Sequence, residues 1–284
     1  MKPLRQKMLN DLIVRGLAEN TQQSYLRSVT GLAGYYHRSP DQLSPQEVQD
    51  YLLYLSQKKK LSWSSCNTTR HGLRFFYRIT LDRPEPYFYL PGAKEPSKLP
   101  EVLSHEELVH LFTVTTNHKQ RALLMTTYAA GLRASEVTHL KVTDIDSQRM
   151  CIRVEQGKGA KDRYLPLSPR LLVQLREYWR RCRPLLWLFP GHPSDRPMSR
   201  YGASQIYHTA KAKAGITKRG GIHTLRHCFA TDLLEAGTEL PVLQRLMGHS
   251  SIRSTMRYLH IAQGQTTATT SPLELLEFPT PTRR

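Results

Sequence analysis

The feature that most constrains how this chain can fold is a proline-rich stretch, residues 82–100. Its five prolines each lack a backbone N–H, and each one biases the preceding residue toward extended conformations. Such a stretch acts as a semi-rigid spacer. We therefore expect a helical N-terminal domain over residues 1–82, a linker over 83–100, a larger domain over 101–262 and a tail with a short apolar helix over 263–284. A chain of 284 residues is long enough for two cores.

The N-terminal segment has the periodicity of a helical bundle. Apolar residues recur every four positions at Leu4, Met8 and Leu12, and Thr21 is expected to cap the second helix. Ser44 and Glu47, with a proline between them, form a capping box for a third helix. A fourth helix is expected over about residues 64–78.

The second segment is predicted to be mostly helical with one small antiparallel β-structure. Residues 151–155 alternate as a strand does, and RYLPL returns after the turn QGKGAKDR. Gly248 is expected to end one helix, and Ser250 or Ser251 to cap the next. The fold class is therefore mainly α (α+β), with a helical bundle followed by a larger helical domain that carries a small sheet.

The charge points to a polyanionic partner. Lys and Arg number 41 against 23 Asp and Glu, and residues 1–100 alone hold 15 basic and 8 acidic residues. Because both halves are basic, duplex DNA fits better than a single basic tail. The residues expected to contact phosphates are Arg70, Arg74 and Arg78, spaced by four, together with Lys58, Lys59, Lys60 and Lys161. An ordinary solvated helix face is the alternative.

Other classes are disfavoured by composition. The sequence shows no apolar run long enough to span a bilayer and no signal peptide, so a cytoplasmic location is expected, with no membrane partner. The four cysteines are scattered without a CxxC pair, which favours reduced thiols over zinc or disulfides. His223 and His227 are four apart but lack the glutamate of HExxH, so no metal site is expected.

The candidate chemistry lies mainly between residues 221 and 260. Arg226 sits among apolar neighbours, and a buried arginine needs an anion. With Arg133 it could bind the two non-bridging oxygens of a phosphodiester. The assisting candidates are His223, His249 and, in the hairpin turn, Lys158 or the competing Lys161. Tyr258 is the candidate nucleophile, although a tyrosine on an apolar helix face is more often a core residue.

In the order and spacing of these six positions, the chain resembles the tyrosine recombinase (phage integrase, Xer-like) family. The motifs that carry the resemblance are GLRASEV, GKGAKDR, HTLRH, LMGHSS and the following tyrosine. The resemblance implies that the catalytic residues are Arg133, Lys158, His223, Arg226, His249 and Tyr258, supported by Glu136. It also implies an N-terminal SAM-like, core-binding domain that contacts DNA.

The resemblance implies a site-specific recombinase that forms a 3′-phosphotyrosyl link and releases a 5′-hydroxyl. Lys158 would protonate the leaving oxygen, His223 would assist proton transfer at the tyrosine, and His249 would bind the phosphate. No cofactor or metal is expected, because arginines and a lysine neutralise the charge. The partner would be duplex DNA with specific recombination sites, bound by a homotetramer, while the free chain could be a monomer. A type IB topoisomerase and an inactive architectural DNA-binding protein are the alternatives.

Overall fold

The computed structural model describes residues 2–83, 100–155, 162–259 and 261. The chain divides into two compact units, Met1–Ser97 and Lys98–Arg284, and each is described by itself. In the described ranges, no helix combines the length and the apolar composition needed to cross a bilayer.

The N-terminal unit is a helical bundle around a single apolar core. Its helices are α1 (Lys2–Val14), α2 (Glu19–Tyr36), α3 (Pro45–Gln57) and α4 (Trp63–Phe75), which continues as a π-helical turn (Phe76–Thr80). Met8, Leu12 and Leu32 are fully buried in this core. The predicted apolar stripe of the first helix is therefore confirmed.

Local signals located the start of one of these helices correctly and misplaced another. Ser44 accepts a hydrogen bond from the backbone N–H of Glu47, whose carboxylate accepts one from the N–H of Ser44, so the predicted capping box is confirmed. The predicted cap at Thr21 is wrong. Helix α2 begins at Glu19, and the N–H of Thr21 donates to the carbonyl of Ala18, inside the first turn.

The C-terminal unit is mostly helical with one small sheet. Its helices are α5 (His105–Val114), α6 (His118–Ala129), α7 (Ala134–Thr138), α8 (Pro169–Cys182), α9 (Arg200–Lys213), α10 (His223–Glu235), α11 (Leu240–Met247) and α12 (Arg253–Met256). Its strands are β1 (Ile145–Asp146), β2 (Cys151–Val154) and β3 (Arg163–Pro166). The mainly α class with a small antiparallel sheet is confirmed.

The sheet has one strand more than the sequence indicated. β2 pairs antiparallel with β3, with Ile152 opposite Leu165, as the hairpin prediction required. β1 pairs with the other edge of β2, placing Ile145 opposite Ile152. A strand of two residues carries no alternation of its own, so only pairing in three dimensions identifies it. Ile152 and Leu165 point into the main core of this unit.

The glycine turn after α11 is the local feature that shapes the site. Gly248 has φ +59 and ends α11, as expected. The predicted serine caps of the next helix are wrong, because α12 begins after Ile252 and the carbonyl of Ser251 accepts from the N–H of Ser254.

All four cysteines are free thiols.

Candidate active site

Arg226 is a buried arginine at the centre of the C-terminal unit. It is the fourth residue of α10 and is 1% exposed. Its guanidinium donates to the carbonyls of Gly131 and Met247. Burial first, and then the charge of Arg133, lower the pKa of Arg226 to about 10, which still leaves it charged at neutral pH. The sequence prediction of a buried guanidinium that requires anionic partners agrees with this environment.

The anion that Arg226 meets is Glu136 on α7. Its carboxylate lies 3.7 Å from Arg226, accepts from Arg133 Nη1 at 2.6 Å and from the backbone N–H of Arg133 at 2.8 Å. Burial alone would raise the pKa of Glu136, but the hydrogen bonds and charges of Arg163 and Arg133 lower it to about 2. Glu136 therefore holds the two candidate catalytic guanidiniums around one negative charge.

Arg163 is a partner of Glu136 that the sequence analysis missed. It lies at the start of β3 and donates from Nη1 and Nη2 to the two carboxylate oxygens of Glu136, at 3.0 and 2.8 Å. Its Nε donates to the carbonyl of Leu246 at 3.0 Å. One side chain thus ties the hairpin, α7 and α11 together. Arg163 was visible in the sequence as the first residue of the RYLPL strand. Nothing in that local pattern points to Glu136, which is 27 residues away.

Arg133 is the more accessible of the two candidate phosphate-binding arginines. It precedes α7, and its side chain is 20% exposed. Besides its bonds to Glu136, it donates to the carbonyl of Gly248 at 3.0 Å. Gly131, with φ +57, and Gly248 supply the turns whose carbonyls hold the two arginines in place.

His249 follows the glycine turn and contacts Arg226. Its Nε2 lies 3.2 Å from Arg226 Nη2, which can only donate, so Nε2 is the acceptor. Its Nδ1 then carries the proton and donates to Thr255 Oγ1 at 2.9 Å. Burial first, and then Arg226 and Arg133, lower the pKa of His249 to about 4, so the ring is neutral.

Tyr258 lies beside these residues, just after α12. The residue is 2% exposed, and its ring is parallel to that of His249 at a centroid distance of 6.4 Å. It belongs to a cluster of buried apolar side chains that includes Phe229 and Met247. The phenolic hydroxyl has a polar partner within this packing, because it lies 2.9 Å from Nδ1 of His227.

His227, not His223, is therefore the histidine at the phenol. Burial raises the pKa of Tyr258, although Arg226 and other arginines oppose this, so the hydroxyl keeps its proton and donates to His227. His223 is exposed in the first turn of α10, with its ring edge-on to His227 at 5.2 Å. Partial desolvation by neighbouring residues, and then the charges of Arg226 and Arg133, lower the pKa of His223.

The structure thus brings together five predicted positions from four separate segments: Arg133, Glu136, Arg226, His249 and Tyr258, with His223 at the edge. Lys158 and Lys161 lie outside the described residues. In the N-terminal unit, Lys58, Lys59, Lys60, Arg74 and Arg78 are exposed and Arg70 is half-buried. Arg78 falls in the π-helical turn after α4.

The cluster has the donors to bind a phosphodiester and a phenol to attack it. Arg226 contacts His249, His249 lies beside the Tyr258 ring, and His227 contacts the Tyr258 hydroxyl, while Glu136 offsets part of the positive charge of Arg133 and Arg226. A dianionic transition state would be stabilised at such a place. Within the ranges that the structure describes, no group of three or more His, Cys, Asp or Glu side chains is arranged to hold a metal ion.

Comparison with known protein families gives two matches that together span most of the chain. The model described as "Phage integrase family" matches residues 101–265. The model described as "Phage integrase, N-terminal SAM-like domain" matches residues 4–86.

Similar proteins carry recombinase names. The putative integrase/recombinase y4qK of Sinorhizobium fredii is 47% identical over 283 residues, covering 99% of this chain and 92% of its own. Tyrosine recombinase XerD of Yersinia pestis is 32% identical over 279 residues, covering 92% and 93%. Among solved structures, XerA recombinase aligns at 26% identity with a TM-score of 0.55, covering 94% of this chain and 96% of its own. XerH site-specific recombinase bound to a palindromic difH substrate shares the fold at 20% identity, with a TM-score of 0.70, covering 89% and 79%.

Proposed function

Since the chain belongs to the phage integrase family of tyrosine recombinases, we propose that Tyr258 is the nucleophile with which it cleaves and rejoins DNA at specific recombination sites. The chain is a site-specific recombinase. The observation that carries the assignment of the nucleophile is the position of the Tyr258 ring, stacked beside His249, which itself bonds Arg226.

In the proposed reaction, Arg133 and Arg226 bind the two non-bridging oxygens of the scissile phosphate. Their shared carboxylate, Glu136, fixes their spacing before DNA arrives, so little reorganisation is needed at the moment of reaction. The hydroxyl of Tyr258 attacks phosphorus and forms the 3′-phosphotyrosyl link. Because that link conserves the phosphodiester's bond energy, rejoining requires no nucleotide cofactor.

Lys158 is proposed to protonate the departing 5′ oxygen, with Lys161 as the competing candidate. His249 is proposed to bind the phosphate once DNA displaces its bond to Arg226. An anion beside the two arginines would raise the low pKa of His249 and allow Nε2 to become a donor.

DNA binding must also uncover the nucleophile. With Tyr258 2% exposed, no phosphate reaches its hydroxyl in the arrangement described above. We propose that DNA contact with the arginines is coupled to a shift of the residues that cover the phenol. The resting chain would then be protected from random cleavage.

The proposed partner is duplex DNA that carries recombination sites, with four protomers acting on two sites in the cytoplasm. Support comes from the solved relatives, since XerH is bound to its difH substrate and lambda integrase to a core site. In the N-terminal unit, proposed as the SAM-like DNA-binding domain over residues 1–82, the basic residues of α4 and of the segment after α3 would contact phosphates. Residues 272–278 lie outside the described residues; we propose that they dock on a neighbouring protomer, with packing on their own domain as the alternative.

A nicked substrate that loses a short strand on cleavage tests the proposal by trapping the covalent complex. Wild-type protein should give a DNA adduct in a denaturing gel, and Tyr258→Phe should bind the same DNA without giving one. An adduct that persists in Tyr258→Phe would refute the assignment.

A further inference from the structure

His227, which is not one of the six predicted catalytic residues, contacts the phenol of Tyr258. Nδ1 of His227 lies 2.9 Å from the phenolic oxygen, and the two rings are 5.6 Å apart. A general base must lie within hydrogen-bond reach of the proton it removes. Among the described residues, His227 is the side chain that meets this condition for the hydroxyl of Tyr258.

The direction of this hydrogen bond favours proton transfer to the histidine. Burial, followed by His223 and Arg257, lowers the pKa of His227 to about 4, so its ring is neutral. Since the phenol is protonated, it donates, Nδ1 accepts and Nε2 carries the hydrogen of the ring. The lone pairs of the phenolic oxygen therefore remain available for bond formation.

His223 is less well placed for the same task. It is exposed at the start of α10 and meets His227 edge-on, with an angle of 89° between the rings. The two histidines lie one helical turn apart on α10. Of these two histidines, His227 is the one that contacts the phenol, so His223 is free to take a different task.

We propose that His227 is the catalytic residue that accepts the proton of Tyr258 during attack on the scissile phosphate. This inference rests on the proposed function of Tyr258 as nucleophile. The Oη–H bond of Tyr258 breaks and the proton moves to Nδ1 of His227, giving an imidazolium. The Oη–P bond forms, the P–O5′ bond breaks, and the 5′ oxygen takes a proton from the acid proposed above. During rejoining, the imidazolium returns its proton to the departing phenolate.

The pKa of His227 in the free chain is low for a base, and bound DNA would raise it. A phosphate anion held by the arginines offsets the positive charge that disfavours the imidazolium. The pair is thus weakly basic in the free chain and becomes more basic when substrate is in place.

The test compares His227→Asn with wild type on the nicked substrate. The amide oxygen of Asn lies near the position of Nδ1 and can accept the phenolic hydrogen bond, but it cannot take up the proton. We expect the cleavage rate at saturating DNA to fall about 10²-fold or more while DNA affinity and thermal stability stay close to wild type. His110→Asn, on the exposed face of α5, is the matched control and should cleave at the wild-type rate.

A second substrate separates the attacking side from the leaving side. A 5′-bridging phosphorothiolate has a leaving group that needs no proton, so it should not restore the rate of His227→Asn. Rescue by that substrate, or a wild-type or faster rate with the ordinary one, would overturn the inference. If wild type itself formed no adduct, the proposed function would fail; an active wild type with a fully active His227→Asn contradicts this inference alone.

Discussion

Arg163 donates hydrogen bonds to both carboxylate oxygens of Glu136, at 3.0 and 2.8 Å, and so joins strand β3 to the short helix that follows Arg133. The side chain of Arg163 is 10% exposed and that of Glu136 is 6% exposed. The candidate catalytic arginines are therefore positioned by a buried ionic network whose members come from three parts of the C-terminal unit.

Replacing Arg163 with methionine should destabilise the C-terminal unit. The change removes the two hydrogen bonds that Arg163 donates to Glu136 and the one it donates to the carbonyl of Leu246, while Arg133 stays bonded to Glu136. Since breaking one side of a buried pair costs roughly 3–5 kcal/mol, the loss should lie at or below that range. Urea unfolding would measure the loss. Arg149→Met is the control, because the side chain of Arg149 is 82% exposed and its Nε lies 3.9 Å from Asp146, so no measurable change is expected. Equal effects of the two changes would contradict the network.

Glu136 should make stability depend on acid. Its pKa is about 2 in the folded chain and about 4.3 when unfolded, so its contribution is complete above about pH 4.3 and is lost as the pH falls toward 2. The contribution is on the order of 3 kcal/mol. Glu136→Gln should be less stable at pH 6, and its stability should fall less between pH 5 and pH 3 than that of wild type. Parallel pH curves for the two proteins, from urea midpoints, would show that this carboxylate is not the source.

Gly131 should tolerate no side chain. Its φ is +57, and a Cβ there would lie 2.2 Å from the ring of Phe229, next to the carbonyl that holds Arg226. Gly215, in the same unit, has φ +64 but open space around the same position. Gly215→Ala should therefore cost about 1–2 kcal/mol for the left-handed backbone alone.

Gly131→Ala should cost clearly more and should also slow DNA cleavage, because Phe229 and the turn must shift together. Thermal melting and the trapping assay measure the two effects. If both alanine variants lost the same stability and kept full cleavage activity, the close packing of Gly131 against Phe229 would have no functional weight.

The roles proposed for Lys158 and Lys161 can be separated by the choice of substrate. Lys158→Ala should lose most cleavage on an ordinary substrate and recover it on the 5′-bridging phosphorothiolate, since that leaving group needs no acid. Lys161→Ala should lose only affinity, as expected for a phosphate contact. The reverse pattern in single-turnover rates would move the acid role to Lys161.

Which interactions could be predicted from the sequence depended on how far apart the two partners lie along the chain. The capping box at Ser44 was predictable because donor and acceptor are three residues apart, and it is present. Thr21 failed as a cap because an earlier turn, with Ala18 extended, could start the helix first. The positions near the site were indicated by motif spacing, which specifies order along the chain but not contacts.

The residues missed are those whose meaning depends on a distant partner. His227 was considered only as a metal ligand, because nothing local shows that Tyr258, 31 residues later, returns to it. Arg163 was read as part of a strand, and its carboxylate partner lies on another element. Burial of the phenol likewise follows from the packing of α10, α11 and α12 and not from the pattern around Tyr258.

The most direct measurement of the central claim is to locate the DNA on the protein. The trapped wild-type adduct would be digested with nuclease and protease, and the peptide that retains a nucleotide would be sequenced by mass spectrometry. The account predicts one modified tyrosine among the 14 in the chain, Tyr258, joined through a 3′-phosphate. A nucleotide on any other residue, or one attached through a 5′-phosphate, would contradict it.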